Sequence, residues 1–176
     1  MEQYFYSLAN FMEQQLQQDE VYLCNFSAEQ SDFIRFNRAK VRQPGSVEQR
    51  YVELDLIEGH RHATGQLALS GDLGVDEERL RELVWELRGQ LPQVPEDPYL
   101  LYAQTVQSSE VMATNTLPVV QEALTEILDT TQNYDFVGLY AGGGIFNGFA
   151  NSLGQRNWHR SYSFNLDWSF YHEKDK

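Results

Sequence analysis

Residues 158 to 171 alternate almost without error. Trp158, Tyr162, Phe164, Leu166, Trp168 and Phe170 share one parity, with Arg160 the one polar residue among them. His159, Ser161, Ser163, Asn165, Asp167 and Ser169 share the other. A period of two places successive side chains on opposite faces and predicts a half-buried strand. At about 3.3 Å per residue it runs roughly 45 Å, far past the usual five or six residues. Its aromatic face is expected to pack on the core. A glycine-rich segment, Gly138 to Gly154, feeds into it, and Lys176 follows closely. The pattern is that of a sheet expected to continue beyond the sequence.

The rest of the chain supplies partners for such a strand. Phe5, Leu8, Met12 and Leu16 form a helical stripe over residues 2 to 17. Glu20 to Phe26 reads as a strand. Residues 31 to 43 read as a hairpin, because Ile34 and Phe36 set one parity and Ala39 and Val41 the other. That slip places a turn near Asn37-Arg38. Pro44-Gly45 reads as punctuation. Val52, Leu54 and Leu56 alternate with Glu53 and Asp55, Glu58-Gly59-His60 turns, and Ala63 to Leu69 returns as an antiparallel strand.

Leu80, Leu83, Val84, Leu87 and Leu91 mark a second helix, with Asp76, Glu77 and Glu78 in its first turn, where acid suits the helix dipole. Pro92, Pro95 and Pro98 make a stiff linker. A third helix is expected to open at Thr116 as N-cap, with Pro118 in its first turn and Leu117, Val120, Leu124, Ile127 and Leu128 as its stripe. Asn133 to Tyr140 returns to strand. Segregated strands and helices predict an α+β fold: a mixed, largely antiparallel sheet, about three main helices packed on it, and long C-terminal strands. The length fits one domain over residues 1–176, and ten Phe, ten Tyr and three Trp supply core groups.

Charge narrows the function classes. The formal net charge is −13, and no Lys or Arg occurs between Arg88 and Arg156, where seven acids do. A nucleic-acid binder needs a basic footprint, and only Arg35, Arg38, Lys40 and Arg42 cluster, so direct nucleic-acid binding is not expected. Cys24 is the one cysteine, which excludes an intrachain disulfide and a thiolate zinc site within the chain. Neither a signal-like N-terminus nor an apolar run near 18 residues is present, so the expectation is a cytoplasmic protein that does not span a membrane.

No complete active site emerges. Gly142, Gly143, Gly144 and Gly148 fail both nucleotide fingerprints: a dinucleotide loop needs glycine at 147, which is Asn147, and a P-loop needs a following lysine. A bulged turn, a close approach of another backbone, or a loop lining a substrate path are the readings left open. His60 and His62 flank a turn without a third ligand. His159 falls on the polar strand face. His172-Glu173 lacks the helical partner histidine of a zinc protease motif. Glu53 and Asp55 face outward, Glu96-Asp97 sits in the linker, and Cys24 has no identifiable histidine partner. Catalytic residues and metal ligands are therefore not expected in this chain.

The block Phe136-Val-Gly-Leu-Tyr-Ala-Gly-Gly-Gly144, then Asn147-Gly148, Ala150-Asn151-Ser152, Gly154 and the aromatic strand, resembles the TldD/PmbA family of metallopeptidases, once described as modulators of DNA gyrase. Ile34 to Val41, Val52 to Leu69 and Glu96-Asp97-Pro98 extend the resemblance over most of the chain. It implies an N-terminal α/β domain whose catalytic C-terminal domain, with a His-Glu-x-x-x-His helix, lies outside this sequence, either excised or as a natural fragment. It further implies zinc for the full-length protein but no cofactor in this chain, a homo- or heterodimer, and peptides or unfolded chains as substrate. On that reading Gly142, Gly143, Gly144, Asn147, Gly148, His159, Ser161, Ser163 and Asn165 form a substrate-path or interdomain wall. The alternative is a stand-alone sheet domain that binds a protein partner without peptidase activity.

Overall fold

The computed structural model describes residues 1–172. In chain order the elements are α1 (Glu2–Gln15), β1 (Glu20–Asn37), β2 (Lys40–Glu58), β3 (Arg61–Ala68), α2 (Leu73–Gln90), a 3₁₀ turn (Leu91–Gln93), β4 (Ser109–Met112), α3 (Val120–Thr131), β5 (Asp135–Asn151) and β6 (Arg156–Tyr171). The six strands form a sheet in the order β3-β2-β1-β5-β6-β4, with β2 and β3 antiparallel and β4 parallel to β6. The fold is the α+β class read from the sequence. Contacts divide the chain into two compact units. One comprises residues 1–28, 49–112 and 146–160; the other comprises 29–48, 113–145 and 161 onward.

The first unit holds an aromatic core. The stripe on α1 buries Phe5, Leu8, Ala9 and Met12. Phe5 stacks on Phe26 with ring centroids 5.0 Å apart, and Trp158 lies 5.8 Å from Phe26. Gly148 permits this packing, since a Cβ there would meet the Phe5 ring at 2.6 Å and Trp158 at 3.2 Å. On α2, Leu80, Val84 and Leu87 are buried. The helix starts at Leu73, earlier than its acids suggest, because Asp72 caps it by accepting from the Val75 amide at 3.0 Å. Asp76 is consequently no solvated first-turn acid. It is fully buried and accepts from the Ser70 and Gly71 amides and from the Tyr4 hydroxyl. A fork from Arg88 to Glu20, at 2.6 and 2.8 Å, ties α2 to the start of β1.

The second unit has the ends of β1, β2, β5 and β6 with α3. Ile34, Phe36, Phe136 and Tyr140 form its buried cluster, covered by Val120, Ala123, Leu124, Ile127 and Leu128 of α3. The turn falls where the parity slips, at Arg38-Ala39, both at positive φ (53° and 51°).

Several boundaries differ from the sequence expectations. The two early segments, Glu20 to Phe26 and the first arm of the hairpin, are one strand, β1. Pro44-Gly45 lies inside β2 rather than ending it. The register of β3 runs along Tyr51 to Glu58 of β2, so Pro44 lies outside that ladder. The helix expected from Thr116 begins at Val120 without a side-chain cap. Leu117 precedes Pro118, which disfavours helical backbone, and its amide is taken by Asn115 Oδ1 at 3.0 Å. The glycine segment is neither turn nor loop but the middle of β5. The short strand β4 carried no period-two signal.

Candidate functional site

The polar strand face and the glycines meet in part. Gly142, Gly143, Ser163 and Asn165 line one cavity of about 230 Å³ together with Glu29, Ser31 and Ile145. Gly144 joins Gly142 and Gly143 in an adjoining cavity of about 450 Å³ with Asp32, Ser46, Tyr140 and Tyr162. Gly143 is where another backbone comes close: a Cβ there would collide with the Gln30 carbonyl oxygen and Ser31 Cα. Gly148 and His159 lie in the first unit, Gly148 beneath Phe5 and His159 exposed opposite Val111 of β4. Asn147 is exposed, and Ser161 is half-buried in the second unit without lining either cavity.

Ser31 donates to Glu29 at 2.5 Å, so its hydroxyl is paired with a carboxylate rather than an imidazole. Burial, with Asp32 adding to it, raises the Tyr140 hydroxyl above its ordinary value and keeps it protonated. In the first unit His62 pairs with Asp55 at 3.1 Å, which also accepts from Thr64, so the pair is a cross-strand polar contact. His60 stands exposed in its turn. Cys24 is buried, and burial, with Glu53 adding to it, pushes its thiol up, opposite to what a nucleophile or metal ligand needs. Among the described residues no three His, Cys, Asp or Glu side chains come together to hold a metal, and these residues do not fit a zinc site. His172 follows β6 and is exposed; Glu173 lies outside the described residues.

The expectation that the aromatic face of β6 packs on the core holds in part: Leu166 packs on the buried cluster, Phe164 stacks on Tyr140 and Phe170 lies 5.7 Å from Phe136, yet most of this face is not covered. Of its aromatic residues only Trp158 is buried, while Phe164 and Trp168 are each 57% exposed. Phe164, Leu166, Trp168 and Phe170 instead form one wall of an apolar groove of about 500 Å³, facing Ala123 and Ile127 of α3. Phe136 and Tyr140 form its floor. Alternation located the face correctly but not its cover, because a period of two says which residues share a side and nothing about what lies over them. A second feature accompanies the groove. β4 pairs with Asn157 to Arg160, so among the described residues β6 has no outer strand neighbour from Ser163 to Tyr171.

No family model and no curated protein matches the sequence. Solved structures do match it by shape. A candidate modulator of a DNA gyrase from Thermotoga maritima gives a TM-score of 0.59 at 13% identity, over 94% of this chain and 38% of that one. A candidate modulator of DNA gyrase from Bacteroides thetaiotaomicron gives 0.58 at 13% identity, over 99% and 42%. TldE from Thermococcus kodakarensis gives 0.53 at 12% identity, over 94% and 42%. The chain has the fold shared by these TldE and gyrase-modulator structures. It spans about two fifths of their length. At such identities the likeness is one of fold, and it agrees with the resemblance carried by the glycine block and the aromatic strand. No helix among the described residues is long and apolar enough to cross a membrane.

Proposed function

We propose that this chain is the N-terminal, non-catalytic domain of a TldD/PmbA-like zinc-dependent peptidase. In that reading the full-length protein is a cytoplasmic dimer that hydrolyses peptides or unfolded chains, and this domain supports assembly and the substrate chamber. The observation that carries it is the fold shared over nearly the whole chain with about two fifths of the TldE and gyrase-modulator structures. The open edge of β6 from Ser163 to Tyr171 supports a role in holding extended peptide: main-chain hydrogen bonds to such an edge recognise any sequence, as a peptidase of unfolded chains requires. Ser163 and Asn165, on the odd-numbered face of that strand, line a cavity with Gly142 and Gly143, which supports their part in a substrate path.

The test has two parts. The gene is read beyond codon 176 for an in-frame His-Glu-x-x-x-His, and zinc-dependent cleavage of reduced casein is measured for the 176-residue chain and for the full gene product. Turnover is expected from the longer protein alone. Robust turnover by the isolated chain overturns the proposal. The second reading, a stand-alone interaction domain, is favoured by one observation, the half-exposed aromatics of β6, and an open frame ending without the motif would select it.

A further inference from the structure

The apolar groove of the second unit is explained neither by the fold nor by strand addition, since it opens on the face of the sheet, under α3. Large exposed aromatics in contact with one another mark a recognition surface. Trp168 and Phe170 lie 5.0 Å apart, Phe170 touches Tyr134 at 5.0 Å, and Phe164 stacks on Tyr140 at 6.1 Å. They form a continuous aromatic wall of edges and faces.

The α3 side of the groove carries carboxylates. Glu122, Glu126 and Asp129 follow i, i+4, i+7 spacing along α3 and share its outer face. Glu126 belongs both to that face and to the lining of the groove. No Lys or Arg occurs in α3 or anywhere from residue 89 to 155. A carboxylate rim beside exposed aromatic faces favours a ligand with apolar anchors and adjacent positive charge, through long-range attraction and cation–π contact. A second copy of this chain is a poor occupant, because each chain carries −13 and a symmetric contact would oppose the two acidic helix faces. We infer that the groove between α3 and the aromatic face of β6 is a docking site for a cationic amphipathic peptide segment, one or two Phe- or Leu-sized side chains entering the groove and flanking Lys or Arg meeting Glu122, Glu126 and Asp129. The volume of about 500 Å³ suits one or two such side chains. The inference does not depend on the peptidase reading.

Fluorescence anisotropy tests it with a labelled ten-residue peptide of four Phe and Leu among six Lys. Two control peptides replace Lys by Glu, or Phe and Leu by Ser. The cationic amphipathic peptide is expected to bind at least about tenfold more tightly than either control. Trp168→Ala, at an exposed position, should weaken it about tenfold. Changing Glu122, Glu126 and Asp129 together to Lys should weaken it by a similar factor and flatten its salt dependence, and because all three are surface positions the variant tests charge with the core intact. Equal binding of the Glu peptide, equal binding of the Ser peptide, or unchanged affinity in the charge-reversed variant each overturns the inference. So does a dimer in sedimentation that Trp168→Ala dissociates, since a second copy would then occupy the groove.

Discussion

Replacing Asp76 by alanine should be among the most damaging single changes in the first unit. The carboxylate is fully buried and accepts from the Ser70 amide at 2.9 Å, the Gly71 amide at 2.9 Å, the Ser70 hydroxyl at 3.0 Å and the Tyr4 hydroxyl at 2.5 Å. Alanine leaves two backbone amides, the Ser70 hydroxyl and the Tyr4 phenol without this acceptor. At about 1 kcal/mol each, the loss is about 4 kcal/mol. For a chain of this size that lowers the melting temperature by about 10 °C. Burial alone would raise the Asp76 carboxyl, but the hydrogen bonds from Ser70, Tyr4 and Gly71 outweigh it and hold it below its ordinary value of 3.8. A depressed carboxyl stabilises the fold above its unfolded pKa, and the contribution is lost as pH falls through its folded pKa. Thermal unfolding of the wild type, Asp76→Ala, Tyr4→Phe and the double variant, at pH 7 and in steps below pH 4, reads each term. Asp76→Ala should lose the corresponding part of the acid destabilisation, and the double-mutant cycle should give a coupling of about 1 kcal/mol. A melting temperature within about 2 °C of wild type at pH 7 would refute the reasoning, because buried donors would then have found other acceptors at no cost.

Three further outcomes are expected. Gly143→Ala should destabilise by about 1–3 kcal/mol in urea unfolding, because its Cβ would meet Gln30 and Ser31 backbone atoms that cannot swing aside; a neutral result would mean that the two strands part freely there. Arg38→Asn should stabilise by about 0.5 kcal/mol, read as a higher urea midpoint at unchanged slope, since asparagine tolerates the left-handed backbone of this two-residue turn better than arginine. Cys24 should resist a thiol reagent such as DTNB at pH 8 until the chain unfolds, because the thiol is buried and held protonated; rapid labelling of the native protein would contradict both statements.

How far the sequence could be read followed from what each signal measures. Apolar stripes placed α1 and α2 within a few residues, because Phe5, Leu8 and Met12, and Leu80, Val84 and Leu87, are the buried positions. The parity slip after Phe36 located the turn at Arg38-Ala39 without a glycine to mark it. Pro44-Gly45 misled, since it suggests an interruption yet lies in a strand of 19 residues. Of the three readings open for the Gly142–Gly144 run, the structure selects a sheet position where another backbone comes close. Gly143 sits where the neighbouring backbone of β1 crowds it, a condition that depends on a strand distant in sequence. The aromatic groove was hidden for a related reason. Exposure of Phe164 and Trp168 depends on how far α3 reaches, which no pattern within β6 encodes. Asp76 resembled a helix-dipole acid because its donors, Tyr4, Ser70 and Gly71, belong to segments that only the fold brings to it.

Each compact unit is assembled from three separate stretches of chain, and this sets the order in which the protein can mature. Phe5, on α1, rests on Gly148 and Trp158, which are synthesised more than 140 residues later. Ile34 and Phe36 likewise wait for Phe136 and Tyr140. Neither core can close until its last stretch has been made, so the early strands stay open until residues 136 to 158 have emerged, and loop-closure entropy makes that closure slow. A nascent chain with long unpaired strands and uncovered aromatics is a natural client for holdase chaperones. Truncations upstream of Trp158 should therefore yield chains that aggregate rather than smaller folded domains.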